Sequence, residues 1–253
     1  MKKYSNLSRY VSRKSSIKQA RLDIATNLVL GVLVLSIGAV CLAPSQNAIA
    51  TDRFESEIYR VGNEDSQGVS LMFNVYWGTE EVYKILEILN EYQARATFFI
   101  GGCWADDNVE CLRTIYAQGH EIGNHGYFHK DHDSLNLLQN QKEIAECNRF
   151  IELAIGETPK LFAPPSGAYN SDTLVAVKAL NMKTILWSRD TIDWRDKDVS
   201  LIYTRATKDI KSGDLILMHP MKETAMALED ILKYYKNNHL KVITVSENIE
   251  TRE

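Results

Sequence analysis

The stretch VSLMFNVYWGTEEVYKILEILNEYQARATFFI (69–100) decides the fold class of this chain. Its start, VSLMFNV (69–75), is typical of a buried strand, and ATFFI (96–100) gives the same pattern at the end. Between them, Thr79 precedes a run with apolar residues at helical spacing and two glutamates in its first turn. The stretch therefore predicts a strand, a helix and a second strand, which is the repeating unit of a parallel sheet.

The alternation of strands and helices continues to the C-terminus. Short apolar segments predict five more strands: EIGNH (121–125), KLFAPP (160–165), KTILWS (183–188), DLILMH (214–219) and KVITV (241–245). Helical spacing predicts helices over 107–118, from Ser134 to Gly156, from Ser171 onward, over 200–211 and over 221–238. This pattern fits a (β/α) barrel or an open doubly wound sheet. No glycine-rich phosphate loop follows the first strand, which favours the barrel.

Composition and charge limit the class of partner. The 253 residues are 45% apolar and 25% charged, as in an ordinary globular protein. Residues 1–50 carry seven Lys or Arg and one Asp, so residues 51–253 must carry a net charge of −10 for the chain to total −4. We expect no nucleic-acid partner, because phosphate binding needs a basic surface.

The N-terminal part predicts a membrane segment. Residues 28–43, LVLGVLVLSIGAVCLA, hold no charge, and the basic flank lies entirely before them. We predict a transmembrane signal anchor at 25–44 behind a cytoplasmic basic segment 1–24, which leaves the C-terminal domain outside the cell membrane. The A-x-A pattern ending at Ala50 leaves the alternative of a cleaved signal peptide and a secreted protein open.

The remaining chain divides into a linker and one domain. Residues 45–66 are mostly polar and lack a period, so they are predicted to be a linker before a domain at 67–253. Outside the membrane cysteines can pair, and Cys103 with Cys111 is a plausible disulfide. The alternative is two small buried hydrophobic residues. Cys147 falls in a helical pattern and is expected to be packed.

Polar or otherwise unusual residues stand at the same end of five predicted strands. They are Asn74, His125, Pro164 and Pro165, Asp190 with Asp193 and Trp194, and His219. Because the carboxyl ends of parallel strands meet at one face of the sheet, these residues predict a single shared site.

The sequence indicates the chemistry of two parts of this site. His125 and His129 form H-x-x-x-H, and on a helical turn residues four apart share a face, which suits two imidazoles on one metal ion. Asp193 could orient His219 and favour its protonated form, which would make it a proton donor near neutral pH. Trp194 either lines the site or belongs to the hydrophobic core.

The polar run after these histidines is not assigned to the site. His132 lies between Asp131 and Asp133. We expect these three residues to form a solvated turn.

The motifs together resemble a known family. The matching stretches are MFNVYWG (72–78), ATFFIGG (96–102), GHEIGNHGYFH (119–129), FAPPSGAYN (162–170), WSRDTIDW (187–194) and DLILMH (214–219). In order and spacing they resemble the NodB-homology polysaccharide deacetylases of carbohydrate esterase family 4, over residues 66–250. The apolar start and the WG of the first motif resemble the sporulation-associated, membrane-anchored branch in spore-forming Gram-positive bacteria.

The resemblance implies a fold and a reaction. The family fold is an irregular seven-stranded (β/α) barrel. The family removes N-acetyl groups from N-acetylhexosamine polymers, so a cell-wall glycan of N-acetylglucosamine and N-acetylmuramic acid is the expected partner. A divalent metal, often zinc, polarises the acetamide, an aspartate acts as base and a histidine as acid.

The resemblance also assigns roles to residues of this chain. His125 and His129 match the metal histidines, and His219 matches the acid. Asp193 matches the aspartate that tunes this histidine, with Trp194 as its apolar neighbour. The residues implied at the substrate cleft are Trp194, Pro164, Pro165 and Tyr169.

Three positions depart from the family pattern. Asn74 replaces the base aspartate, Val75 replaces the third metal ligand, and Ala163 replaces an arginine that pairs with the base. With two histidines left, we expect a weakened zinc site. Asp190 or a water could partly replace the base, and Asn74 could position the water or the acetamide.

Three hypotheses follow for function. The chain is a peptidoglycan-type deacetylase with altered machinery, a catalytically inactive module that binds glycan or scaffolds a sporulation complex, or a different hydrolase on the same scaffold. Retention of His219, Asp193 and the two metal histidines favours the first, because a pure binding module has no evident need of a tuned acid. The missing base and ligand favour the second.

Overall fold

The computed structural model describes residues 27–28, 30–32, 58–63 and 65–250. The chain divides into two compact units, and the second, Arg53–Glu253, holds the elements described below. The predicted basic segment, most of the predicted span at 25–44 and the cleavage site near Ala50 lie outside the described residues. Within the described ranges, no helix combines the length and the apolar character needed to cross a membrane.

The second unit is built on one sheet. Its described strands are β1 (Ile58–Tyr59), β2 (Gly68–Val75), β3 (Thr97–Ile100), β4 (Glu121–Asn124), β5 (Leu161–Phe162), β6 (Lys183–Ile185), β7 (Arg189–Asp190), β8 (Leu215–Met218) and β9 (Lys241–Val242). Their order is β1-β6-β5-β4-β3-β2-β8-β7, with β9 beside β2, and every pair is parallel. The parallel α/β fold is confirmed. The sheet is an incomplete barrel, since no pairing joins β1 to β7 among the described residues.

Helices connect the strands in the predicted alternation, except that β1 leads to β2 and β6 leads to β7 without a helix. They are α1 (Thr79–Glu91), α2 (Gly102–Asp107), α3 (Val109–Ala117), α4 (Leu137–Ile155), α5 (Ser171–Ala179), α6 (Asp193–Asp196), α7 (Val199–Thr207), α8 (Lys222–Asn237) and α9 (Val245–Ile249). The strand predicted at 241–245 stops at Val242, because the side chain of Thr244 caps α9 in a reciprocal box with Glu247.

The two faces of β2 belong to different cores. Val69, Leu71, Phe73 and Val75 pack in an outer cluster between the sheet and its helices. Met72 packs in an inner cluster with residues of other strands. Since side chains alternate along a strand, Asn74 shares the inner face with Met72, which explains why this strand is apolar almost throughout.

The sheet begins earlier in the chain than we predicted. β1 lies inside the segment 45–66 assigned to a linker, and it pairs with β6. Two residues later, Val61 bridges to Asp214, directly before β8. This short segment therefore contacts strands on both sides of the opening in the barrel, a role that its polar, aperiodic sequence did not indicate.

The cysteines of this unit are not paired. Cys103, Cys111 and Cys147 are free thiols, so the predicted Cys103–Cys111 disulfide is not formed. Cys111 is buried as the alternative predicted, whereas Cys103 is only partly buried, and Cys147 is packed as expected and donates to the carbonyl oxygen of Ile100. Burial raises the pKa of Cys111 to about 11, which keeps this thiol protonated.

We expect the free energy of unfolding to decrease at acidic pH because of His120. Burial, with a smaller contribution from Arg95, lowers the pKa of His120 from 6.5 to about 4, and its Nδ1 accepts the N–H of Ala96 at 3.2 Å. The unfolded chain binds this proton at a higher pH than the folded chain, so the free energy of unfolding decreases as the pH falls below 6.5. We expect His120→Gln to remove about 2 kcal/mol of the loss between pH 7 and pH 5.

Urea denaturation of both proteins at these two pH values measures that difference. The variant keeps an acceptor for the N–H of Ala96, so it is a matched control. His125, His129 and His132 also have pKa values lowered by burial, and they contribute the same sign to both proteins. An identical pH dependence in the two proteins would contradict the assignment to His120.

Candidate active site

The Asp193–His219 pair is the most completely hydrogen-bonded part of the site. Asp193 is fully buried at the start of α6, and its Oδ1 accepts Nδ1–H of His219 at 2.8 Å and the backbone N–H of Trp194 at 2.9 Å. Its Oδ2 accepts the backbone N–H of His219 at 2.7 Å and the hydroxyl of Thr224 at 2.6 Å. Because Nδ1 donates to the carboxylate, Nε2 of His219 remains available to a ligand.

A strained turn presents Asp193 to the histidine. Ile192 has a left-handed backbone, with φ of 53°, which is uncommon for a β-branched residue. Its N–H donates to Oδ1 of Asp190 at 2.8 Å, so the carboxylate predicted as a replacement base holds this turn. Trp194 follows Asp193 and is 49% exposed, so it is not a core residue.

His125 is held in one tautomer on the other side of the site. It directly follows β4 and is buried, and its ring lies within hydrogen-bond distance of the carbonyl oxygen of Ala163, with Nδ1 at 2.7 Å. A carbonyl oxygen only accepts, so Nδ1 carries the proton and Nε2 has the lone pair that a metal or a donor could use. Burial and the neighbouring His129 lower the pKa of His125 well below its usual range.

His129 reaches His125 through a loop and not through a helical turn, which corrects our prediction. Gly126 and His129 both have left-handed backbones, with φ of 75° and 53°, and these turns bring the ring centroids to 5.0 Å. Tyr76 lies against His129 with centroids 4.6 Å apart. Burial lowers the pKa of His129, and His219 contributes a smaller lowering of the pKa of both histidines.

The three positions that depart from the family pattern are all buried. Asn74 is 4% exposed, and its Oδ1 has no hydrogen-bond partner. Val75 packs in the outer cluster and Ala163 in the inner cluster, both fully buried. Apolar side chains therefore occupy the places where the resemblance implies a carboxylate and a guanidinium.

These residues do not fit a complete metal site. In the described part of the chain, no group of three or more His, Cys, Asp or Glu side chains could hold a metal ion. His125 and His129 give two nitrogen ligands, and Val75 supplies no third. The predicted metal histidines are together, but the site they form is incomplete.

The loop after β5 contains the predicted cleft residues Pro164, Pro165 and Tyr169. Pro164 and Pro165 are buried, and Tyr169 accepts a hydrogen bond from Arg60 at 2.9 Å. Arg60 belongs to the segment predicted as a linker, so sequence reasoning missed this contact.

The turn around His132 was predicted incorrectly. Asp131 and Asp133 are solvent-exposed as expected, but His132 is fully buried. Its Nδ1 donates to Oδ1 of Asn140 at 2.5 Å, and the remaining Nε2 has no partner. A single histidine in a polar run carries no periodic signal of burial, so the sequence could not reveal this contact.

Comparisons with known proteins agree with this architecture. A family model described as Polysaccharide deacetylase matches residues 62–185. The chain is 34% identical over 172 residues to a peptidoglycan-N-acetylglucosamine deacetylase of Bacillus cereus, covering 65% of this chain and 79% of that protein. The chain belongs to the polysaccharide deacetylase family. This family, carbohydrate esterase family 4, consists of metal-dependent hydrolases that act on carbon–nitrogen bonds.

A relative of unassigned activity and two solved structures are also similar. The chain is 40% identical over 196 residues to the uncharacterized protein YlxY of Bacillus subtilis, covering 77% of this chain and 61% of YlxY. A family 4 pseudoenzyme from Bacillus anthracis superposes with a TM-score of 0.74 at 32% identity, covering 76% of this chain and 69% of that one. A mutant of that pseudoenzyme with restored enzymatic activity gives 0.74 at 30% identity, covering 76% and 71%.

Metal content tests the incomplete site. We expect the purified chain to lose zinc on desalting, because two imidazoles bind it weakly. Val75→Asp should retain about one equivalent, since a carboxylate completes a three-ligand site. Elemental analysis by mass spectrometry measures both.

Two further variants serve as controls for the metal content. Asparagine at position 75 has the shape of aspartate without its charge, so the Val75→Asn variant should hold no zinc. Adding His125→Ala to the Val75→Asp variant should abolish its zinc retention. One equivalent of zinc held by the unmodified chain and indifferent to His125→Ala would show that the ligands lie elsewhere.

Proposed function

We propose that this chain binds N-acetylhexosamine polymers of the cell wall in the deacetylase cleft without measurable hydrolysis of their acetamides. The observation that carries the proposal is the pair of adjacent positions on β2. Asn74 and Val75 are buried where the family places a base and a ligand, and neither can perform the role. An amide does not take a proton from water at neutral pH, and an isopropyl group binds no metal.

Asn74 suits a ligand that remains intact. A buried carbonyl oxygen without a partner costs about 1–3 kcal/mol, and a bound donor removes that cost. Oδ1 of Asn74 is such an oxygen, on the inner face of the sheet. The acetamide N–H of an unhydrolysed N-acetylhexosamine is a suitable donor, so the amide at this position supports binding without turnover.

The joint absence of the aspartate at position 74 and the arginine at position 163 supports a coordinated change of the site and not a single damaging substitution. Without a carboxylate at position 74, a buried arginine at position 163 would be an uncompensated charge, which costs several kcal/mol. Ala163 avoids this penalty, and its side chain packs in the inner cluster. The Bacillus anthracis pseudoenzyme, to which this chain is similar, gives independent support for a family member without activity.

A slow deacetylase is the second candidate, favoured by the intact acid. The four hydrogen bonds to Asp193 keep His219 oriented, with Nε2 able to protonate a leaving amine. A binding protein has no evident need of this arrangement. For this candidate, His125 and His129 would hold a weakly bound zinc that activates water, or Asp190 would act as the base.

We further propose where the chain acts. The basic flank and the apolar run at 25–44 support a single-pass anchor in the cell membrane, with the domain on the outside facing peptidoglycan. The alternative is secretion after cleavage near Ala50. The WG of the first motif supports a role in sporulation.

Binding and turnover can be measured side by side on the full chain. We expect isothermal titration calorimetry to detect binding of an N-acetylglucosamine pentamer and much weaker binding of cellopentaose, which lacks the acetamide. Acetate release from the pentamer and from purified peptidoglycan, with zinc added, should not exceed that of His219→Ala. Acetate release that His219→Ala abolishes would establish the slow deacetylase, and no binding of the pentamer would overturn the proposal.

Restoring the family residues should create activity. We expect Asn74→Asp, Val75→Asp and Ala163→Arg together to release acetate from the pentamer at a rate at least about 10²-fold above the unmodified chain, because a positioned base contributes 10²–10⁴-fold. The matched control combines Asn74→Asp, Val75→Asn and Ala163→Arg, and it differs from the first triple variant by one charge. Equal rates in the two triple variants would show that position 75 does not supply the missing ligand.

A further inference from the structure

We propose that Trp77 is a stacking platform for one pyranose ring of the bound glycan, directly beside His219. This inference rests on the proposed function and names a residue that contacts the polymer next to the acetamide site. Trp77 lies in the loop between β2 and α1, at the carboxyl end of the strand that carries Asn74. Its position therefore belongs to the mouth of the site and not to the outer surface.

Exposed aromatic side chains concentrate at this mouth. Four aromatic residues are among the exposed large hydrophobic side chains of the described part of the chain: Trp77, Tyr83, Phe128 and Trp194. Three of them follow the carboxyl ends of strands, and Tyr83 alone lies on an outer helix. Aromatic surface left open to water around a polar cleft is a feature of binding sites.

The ring of Trp77 stacks against His219 and is still partly open to solvent. It lies parallel to the imidazole of His219, with an interplanar angle of 5° and centroids 5.7 Å apart. Yet 40% of the residue remains exposed. Since His219 lies against the ring on one side, the surface that stays exposed leaves room for a flat apolar ligand surface to pack.

Two contacts fix this ring before any ligand arrives. The indole Nε1–H donates to Sδ of Met221 at 3.3 Å. Gly78 has a left-handed backbone with φ of 76°, and a Cβ there would lie 2.3 Å from the carbonyl oxygen of Pro220. The turn that carries Trp77 therefore packs directly on the turn that carries His219. A ring held in this way loses little conformational entropy when a ligand packs on it.

A sugar ring is the ligand whose chemistry fits. A β-linked pyranose presents axial C–H groups on its faces, which pack on an indole, while its equatorial polar groups remain in water or bond to the protein. A polymer whose acetamide reaches Asn74 and His219 must place an adjacent part of its chain over Trp77. The domain's net negative charge is no obstacle to a neutral N-acetylglucosamine chain.

The test is binding of the N-acetylglucosamine pentamer to variants of the full chain, measured by calorimetry. We expect Trp77→Ala to raise the dissociation constant about tenfold or more, and Trp77→Phe to remain within about threefold, because the phenyl ring preserves the stacking. Tyr83→Ala is the matched control, since Tyr83 has the same 40% exposure away from the mouth, and it should leave binding unchanged.

A second measurement uses the unmodified protein. The pentamer should protect Trp77 from oxidation by N-bromosuccinimide, with the oxidised tryptophans identified by mass spectrometry. Unchanged binding by Trp77→Ala, or no protection of Trp77, would overturn this inference while the proposed function stands. No binding of the pentamer by the unmodified chain would instead reject the proposed function and this inference with it.

Discussion

The buried carboxylate of Asp193 is the interaction on which the site depends. A fully buried charge is tolerated only when its oxygens are satisfied, and here two donors reach each oxygen. The donors come from the end of β8, the start of α8 and α6 itself, so one side chain joins the connection after β7 to the connection after β8. The strained backbone at Ile192 persists because this network holds it.

The opposite side of the cleft has apolar side chains at two positions where the family pattern has charged ones, and these side chains are fully packed. Val75 and Ala163 complete two apolar clusters, one on each side of the sheet. His125 remains fixed by the carbonyl oxygen of Ala163, a backbone group that does not depend on which side chain stands there. The site therefore combines an intact Asp193–His219 pair with a neutral, apolar floor, and Asn74 on the inner face supplies an unpaired polar atom.

The sequence indicated the residues that follow regular strands, and it failed where loops set the geometry. Asp193 and His219 could be paired because both follow predicted strands, whose carboxyl ends meet. Thr224 could not be found, since a threonine early in a helix has no distinguishing pattern. The H-x-x-x-H spacing predicted two neighbouring histidines but the wrong backbone, because the left-handed turn at His129 is unusual for a residue other than glycine. β1 was missed because a two-residue strand is too short to show alternation.

The apolar residue at position 75 has a consequence for how the protein is maintained in the cell. In a protein whose fold closes around a bound ion, part of the folding free energy comes from that ion, and the amount of folded protein follows its supply. Val75 contributes to the core through its own packing. Because this packing needs no ion, we expect the folded fraction of the domain to be independent of the metal supply.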